Sequence, residues 1–289
     1  MVQRTGLSLR GVAHDLLFDA GIQIKTMPRL ELLEHGGLVF LFERLLRQHK
    51  VAPRGILHIG GNVGQEASAY RMLGFEQVLF VEANSDPEVF GKLEQNISHM
   101  NTLDVEFRRL LRGGPQTRFS AVNIAAGNHH GPVPFYLMGS STFSSTHRPL
   151  GFESWINYVV ENSTPEEADK FMSWAENALK LMGETTVMMQ TTDNVMRDLG
   201  EQGHPIDKYN ILNLNIQGGE LEGLRGASRT LQQMEIVQVE KGYVQHYEGS
   251  PSPEELDRFL LEAGFLESVQ LRAGTYGVSF YTRNGSQAG

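Results

Sequence analysis

"GILHIGGNVGQEASAY", residues 55–70, runs from a short apolar segment into a glycine turn and then into a stretch of helical composition. A strand–turn–helix of this kind can hold phosphates in nucleotide-binding proteins, so the glycine spacing decides its use. Gly60 and Gly64 stand four apart and no lysine follows, which fails the phosphate-loop pattern G-x-x-x-x-G-K-[ST]. The dinucleotide fingerprint needs glycines at i, i+2 and i+5; the nearest frame through Gly60, Gly61 and Gly64 puts Ile59 at the first position. What remains is G-G-N-x-G after a first strand, with an acid, Glu82 in "LFVEANSDP", 22 residues beyond Gly60.

An acid at the end of the second strand of a doubly wound sheet accepts hydrogen bonds from ribose hydroxyls. Glycines at 60 and 61 are expected to let the backbone approach a ligand with no side chain in the way. The pair suits a nucleoside without phosphates, of which S-adenosylmethionine is the commonest. A nicotinamide-dependent oxidoreductase is disfavoured by the glycine spacing.

Outward from this stretch, strand and helix signals alternate. "QVLFVEA" reads as a strand, and "DPEVFGKLEQNISHM" as a helix with Asp86 as N-cap and Pro87 at its first position. "FSAVNIAAG" reads as a third strand and "PVPFYLM" as a fourth, antiparallel at an edge. After residue 185 come the strands "TVMMQTTD", "YNILNLNIQGGE" and "MEIVQVEKG". A helix "SPEELDRFLLEAG" capped by Ser252, Pro253 and Glu255, a closing strand "GVSFYTRN" and a tail "GSQAG" expected to be disordered end the chain. The pattern predicts an α/β fold, a Rossmann-like doubly wound and mostly parallel sheet covered on both faces.

Two segments stand apart from the alternation. Residues 1–50 form an expected helical cap, with Leu30, Leu33, Leu38, Leu41 and Leu45 near helical spacing, and residues 51–289 form the main domain. Residues 139–185 hold a polar loop, "GSSTFSSTHRPLG", and a helix whose start carries the capping box Thr164, Pro165, Glu167. This block reads as a helical lid inserted over the site.

At 289 residues and 40% apolar composition the chain can bury a large core. It has no cysteine, which excludes disulfides, thiolate metal sites and a cysteine nucleophile. No signal-peptide pattern or membrane-length apolar run is seen, so a cytoplasmic protein with no membrane partner is expected. The net charge is −9, and the cluster Arg108, Arg109, Arg112 and Arg118 reads as a solvated face. A small-molecule acceptor, not a nucleic acid, follows. His129 and His130 are sequence neighbours whose side chains diverge on an extended chain, and no metal is expected. A homodimer is left open.

The ordered set "LHIGGNVGQE", "FVEANSDP", "VNIAAGNHHGPVPFYL" with "GSSTFSST", "QTTDNVM", "YNILNLNIQGGELEGLRGA" and "EIVQVEKGY" resembles the FkbM family of methyltransferases over about 230 residues. The resemblance implies a class I methyltransferase fold and O-methylation of a small molecule, a natural product or a sugar. It implies a donor held by Gly60, Gly61, Asn62, Gly64 and Glu66 of the first loop, by Glu82, Ala83 and Asn84 after the second strand, by Asn123 and Ala125, and by Asn215. Two positions depart from the family. His58 stands where many relatives carry Asp, and "NIQGGE" has Asn215 in place of Asp and Gly219 in place of Ala.

An amide at 215 can orient a hydroxyl but cannot take its proton. Candidate bases are His147 in the polar loop and Glu240 at the end of the fifth strand. Glu220 is read as a cap of the following helix, and Tyr243, His246 and Tyr247 as acceptor contacts or packing. A catalytically degenerate, cofactor-binding scaffold is the alternative that Asn215 raises.

Overall fold

The computed structural model describes residues 38–111 and 117–284. Helix α1 (Leu38–Gln48) leads into β1 (Gly55–Ile59), α2 (Ala67–Met72) and β2 (Gln77–Glu82). A π turn (Pro87–Gly91) opens α3 (Lys92–Leu111), followed by β3 (Arg118–Asn123), β4 (Ala125–Gly127) and β5 (Gly131–Met138). Then come α4 (Glu153–Glu161), α5 (Pro165–Ala178), β6 (Leu181–Thr191), α6 (Thr192–Glu201) and β7 (Ile211–Leu214). The chain closes with α7 (Glu220–Arg225), β8 (Ile236–Gly242), α8 (Pro253–Glu262), β9 (Phe265–Ala273) and β10 (Tyr276–Arg283).

Seven strands form the main sheet in the order β3-β2-β1-β7-β8-β10-β9. β10 alone runs against its neighbours, pairing antiparallel with β8 and with β9. β1 is buried along its whole length because it is central and covered on both sides. On one face Phe42 and Leu45 of α1, Tyr70 of α2, and Leu93 and Ile97 of α3 pack on Ile56, Val78 and Phe80. On the other, Val195 and Leu199 of α6, Leu224 of α7, and Leu256 and Leu260 of α8 pack on Leu57, Leu79, Leu212 and Val237.

The expected third strand is two. Asn123 ends β3, and the chain turns at Ile124 so that β4 joins a separate sheet of order β4-β6-β5. The expected fourth strand, β5, is antiparallel as read, but it borders this small sheet and not the main one. Phe135, Val187 and Met189 give the small sheet its own core. β6 begins at Leu181, inside the block read as an insertion, because residues 181–189 pair with β5. β9 was not foreseen; its exposed alternate residues give it a weak apolar signal.

The caps formed as the sequence indicates. Asp86 accepts from the Glu88 N–H, and Thr164–Glu167 and Ser252–Glu255 form reciprocal capping boxes ahead of prolines. Within the expected N-terminal cap only α1 falls among the described residues, and the tail "GSQAG" and Arg112 lie outside them. No helix among the described residues is long and apolar enough to cross a membrane.

Candidate active site

The strand order reverses between β1 and β7, and the loops leaving β1, β2 and β7 splay apart there. The resulting cleft is partly open to solvent and is lined by Gly60, Asn62, Glu66, Glu82, Ala83 and Asn215, among others.

Glu82 ends β2 and is buried. Its carboxylate accepts the Asn62 N–H at 2.7 Å on one oxygen and the Asn84 N–H at 2.7 Å on the other. Burial pushes its pKa above the ordinary carboxylate value, against the pull of these backbone donors. Each oxygen keeps acceptor capacity on the cleft side, which suits a pair of ribose hydroxyls.

The glycines serve packing more than ligand approach. A Cβ on Gly60 would lie 1.8 Å from the Asn215 carbonyl oxygen, and one on Gly61 would lie 2.8 Å from the Phe80 ring. Gly60 (φ 87) and Gly64 (φ 74) also take left-handed backbone. The glycine loop is thus pressed between the end of β7 and the core, and this close packing brings Asn62 to Glu82.

His58 lines the same cleft from β1, with 2% of its surface exposed. Its Nδ1 accepts the Tyr70 hydroxyl at 3.0 Å, and the Tyr70 oxygen accepts from Asn213 Nδ2 at 2.8 Å. This chain places the imidazole proton on Nε2. Burial pushes the His58 pKa down to about 3, so the ring is neutral near pH 7.

Asn215 follows β7. Its Oδ1 accepts from Gln217 Nε2 at 2.7 Å, which leaves its Nδ2 as a donor for the cleft. Gln217 Nε2 also donates to Glu240 Oε2 at 2.7 Å, so one amide ties the two residues. Gln217 holds a left-handed backbone (φ 54), fixed by Ser145 Oγ donating to its carbonyl at 2.7 Å. Its side chain forms a wall between the cleft and a second, small cavity of about 20 Å³ lined by Glu220, Glu240, His246, Tyr247 and Tyr276.

The serine-rich loop reaches both sides of the cleft. Ser141 Oγ donates to Asn62 Oδ1 at 2.8 Å, while Ser145 grips Gln217. Neither serine was singled out from sequence, nor were Gln217, Tyr70 and Asn213. Gln217 sits inside "NIQGGE", where two glycines after a polar residue signal an unusual backbone.

His147 lines neither cavity. Its Nδ1–H donates to the Glu248 carbonyl at 2.9 Å and its Nε2 lies 3.7 Å from the Glu222 carboxylate. Burial pulls its pKa down, but Glu222 and the Glu248 carbonyl outweigh that and leave it raised. Asn123 is exposed and donates to the Glu82 carbonyl from outside the cleft; Ala125 lines it. Asn84 and Gly64 support the loops and are not in the lining. Glu220 does not cap a helix end by its side chain; its buried carboxylate accepts from the Ile216 and Gly218 N–H groups and fixes the loop after Asn215. Tyr243 carries the Arg272 guanidinium on its ring at 3.9 Å, away from both cavities. The Asp of "QTTDNVM", Asp193, binds the Arg229 and Thr230 N–H groups, a clamp between helices.

A reversed strand order with an antiparallel strand next to the edge, and a cleft at the reversal, define the class I methyltransferase fold. The sequence profile described as "Methyltransferase FkbM domain" matches residues 58–267, and the chain belongs to that family. Among solved structures the chain is similar to magnesium protoporphyrin IX methyltransferase from Synechocystis PCC 6803 with bound S-adenosylmethionine, at 10% identity over 98% of this chain and 100% of that one, TM-score 0.42. It is also similar to a ribosomal-protein methylase from Lactobacillus delbrueckii subsp. bulgaricus, at 13% identity over 86% and 77% of the two chains, TM-score 0.36. Curated proteins give no significant sequence match.

Proposed function

We propose that the protein is an S-adenosylmethionine-dependent O-methyltransferase of a small hydroxylated molecule, a natural product or a sugar, acting in the cytoplasm. Glu82 would hold the ribose, with the backbone of Gly60, Asn62 and Ala83 beside it. When bound, the donor supplies a methyl group activated by a sulfonium centre. Asn215 offers an N–H to position the acceptor oxygen, because its own carbonyl is held by Gln217. Glu240 would be the base once the Gln217 side chain that separates it from the cleft swings aside, since a carboxylate can take the hydroxyl proton that Asn215 cannot. His147, committed to Glu248 and Glu222, supports the loop.

The observation that carries this reading is the single Gln217 amide joining Asn215 to Glu240 between two cavities. Residues 139–185 act as a lid, since Ser141 and Ser145 already bridge the cleft. A donor-binding scaffold without transfer is the second reading, favoured by the amide at 215. Transfer of labelled methyl to a panel of hydroxylated metabolites separates them. The enzyme reading expects turnover by the natural protein, lowered about 10²-fold by Asn215→Ala and at least as much by Glu240→Gln. Turnover found only after Asn215→Asp would support the scaffold.

A further inference from the structure

The donor cleft changes character along its length. On the β3 and β4 side of Glu82 its lining is apolar, with Ile124, Ala125, Ala126 and Phe135. On the β1 side it turns polar, with His58, Gln65 and Glu66. β2 lies between β3 and β1 in the sheet, so Glu82 stands between the two halves. A donor whose ribose meets Glu82 would lay its flat base against the apolar half and turn its amino-acid end to the polar half.

That end carries an ammonium and a carboxylate, and the polar half is unequally equipped for them. Glu66 and Gln65 bring acceptors. Glu66 Oε2 lies 3.9 Å from His58 Nδ1, and Gln65 Oε1 is buried with no hydrogen-bond partner among the described residues. Buried polar atoms in folded proteins nearly always have a partner, so an orphan acceptor in the cleft wall points to a donating group on the ligand. For the carboxylate, no lysine or arginine is in the lining, so a neutral donor has to serve.

His58 supplies a neutral N–H that is fixed in place. The Tyr70 hydroxyl, itself held by Asn213 Nδ2, occupies Nδ1 and leaves the ring proton on Nε2. The rings of Phe80 at 5.4 Å and Tyr70 at 5.8 Å pack against the imidazole and hold its plane. The His58 ring is buried and lines the cleft, and Nε2 makes no hydrogen bond among the described residues. Burial keeps the ring uncharged, so it can read an anion only through this N–H.

We infer that His58 is a specificity residue for the methyl donor: its Nε2–H takes the α-carboxylate of S-adenosylmethionine, and Gln65 and Glu66 take the ammonium. The inference rests on the donor lying in this cleft with its ribose at Glu82.

Calorimetry on the full chain at neutral pH tests it with S-adenosylhomocysteine and decarboxylated S-adenosylhomocysteine, which keeps the adenosine, the sulfur and the amine. The natural protein should bind the complete ligand roughly tenfold more tightly, as for one hydrogen bond to a charged group. His58→Asn keeps an oxygen for the Tyr70 hydroxyl and has no atom where Nε2 stands, so the two ligands should bind within about twofold of each other. His58→Asp, which also accepts from Tyr70 and has no N–H, serves with the same expectation if His58→Asn does not fold. A merely structural His58 would weaken both ligands alike. A ratio that survives in either folded variant therefore overturns the inference and hands the carboxylate to other neutral donors of the lining, such as Asn215. Equal affinity of the natural protein for the two ligands overturns it without any variant. Glu82→Ala should weaken both ligands and leave their ratio unchanged. If it leaves S-adenosylhomocysteine affinity unchanged, the donor does not lie in this cleft and the underlying reading fails; if it weakens both while His58→Asn keeps the ratio, the assignment of His58 alone fails.

Discussion

His58 should make the protein acid-sensitive in a way that one substitution can isolate. Its pKa is 6.5 in an unfolded chain and about 3 in the fold, because burial excludes the charged ring. Above the unfolded value the ring is neutral in both states, and stability is complete. Below it the unfolded chain takes up a proton that the fold refuses, and stability falls by about 1.4 kcal/mol per pH unit until the folded value is reached. At about pH 5 the loss is about 2 kcal/mol. Glu82 and Glu220, whose carboxyls burial pushes up, act in the opposite sense and favour the fold as pH falls through their raised values. The perturbation is therefore His58→Asn, compared with the natural protein at each pH so that these carboxyls cancel. The Asn oxygen can stand where Nδ1 accepts the Tyr70 hydroxyl, while the ring contact with Phe80 at 5.4 Å is lost. At neutral pH the variant should be less stable by about 1–3 kcal/mol from the cavity. Urea unfolding followed by far-ultraviolet circular dichroism should show that gap closing by about 2 kcal/mol between about pH 7 and pH 5. A gap that stays constant over this range refutes a buried, neutral His58.

Glu82→Ala should weaken S-adenosylhomocysteine binding by about 2–3 kcal/mol in calorimetry, as for hydrogen bonds to a charged group; unchanged affinity would remove Glu82 from the site. Gly60→Ala places a Cβ 1.8 Å from the Asn215 carbonyl oxygen, so it should destabilise the fold by about 3 kcal/mol or more, and a natural melting temperature would contradict the packing role. Lys241→Met removes the buried ammonium that the partly exposed carboxylates of Asp257 and Glu267 hold and should cost about 1–2 kcal/mol in denaturant unfolding; an unchanged midpoint would mean that solvent compensates both acids.

That Gly60 and Glu82 come together at one cleft was legible because local rules write it. A strand, a glycine turn and an acid at the end of the next strand fix Gly60 and Glu82 on neighbouring strands, and prolines with capping boxes mark α5 and α8. The purpose of the glycines was not legible, since it depends on the carbonyl of Asn215, far away in sequence. Long-range closure hid the rest. Gln217 acquires its role only when Asn215 and Glu240 arrive from two strands, and Tyr276 reaches the cavity from a hairpin whose first strand has little apolar pattern. The break at Ile124 was hidden because "FSAVNIAAG" carries apolar residues on both sides of Asn123 and periodicity cannot say where one strand becomes two.

The chain has two tryptophans, Trp155 on α4 and Trp174 on α5, and neither belongs to the main sheet. Trp155 is buried and Trp174 is 44% exposed, with ring centroids 6.2 Å apart and Phe143 of the serine-rich loop within 6.0 Å of both. Tryptophan emission, excited apart from the tyrosines, is therefore a natural optical label on residues 139–185 and on their contact with Tyr276 of β10. A ligand titration that shifts the emission maximum reads the repacking of this pair directly, without a dye. A thermal scan in which emission changes before circular dichroism would mean that the helical pair melts as a unit of its own while the seven-stranded sheet persists.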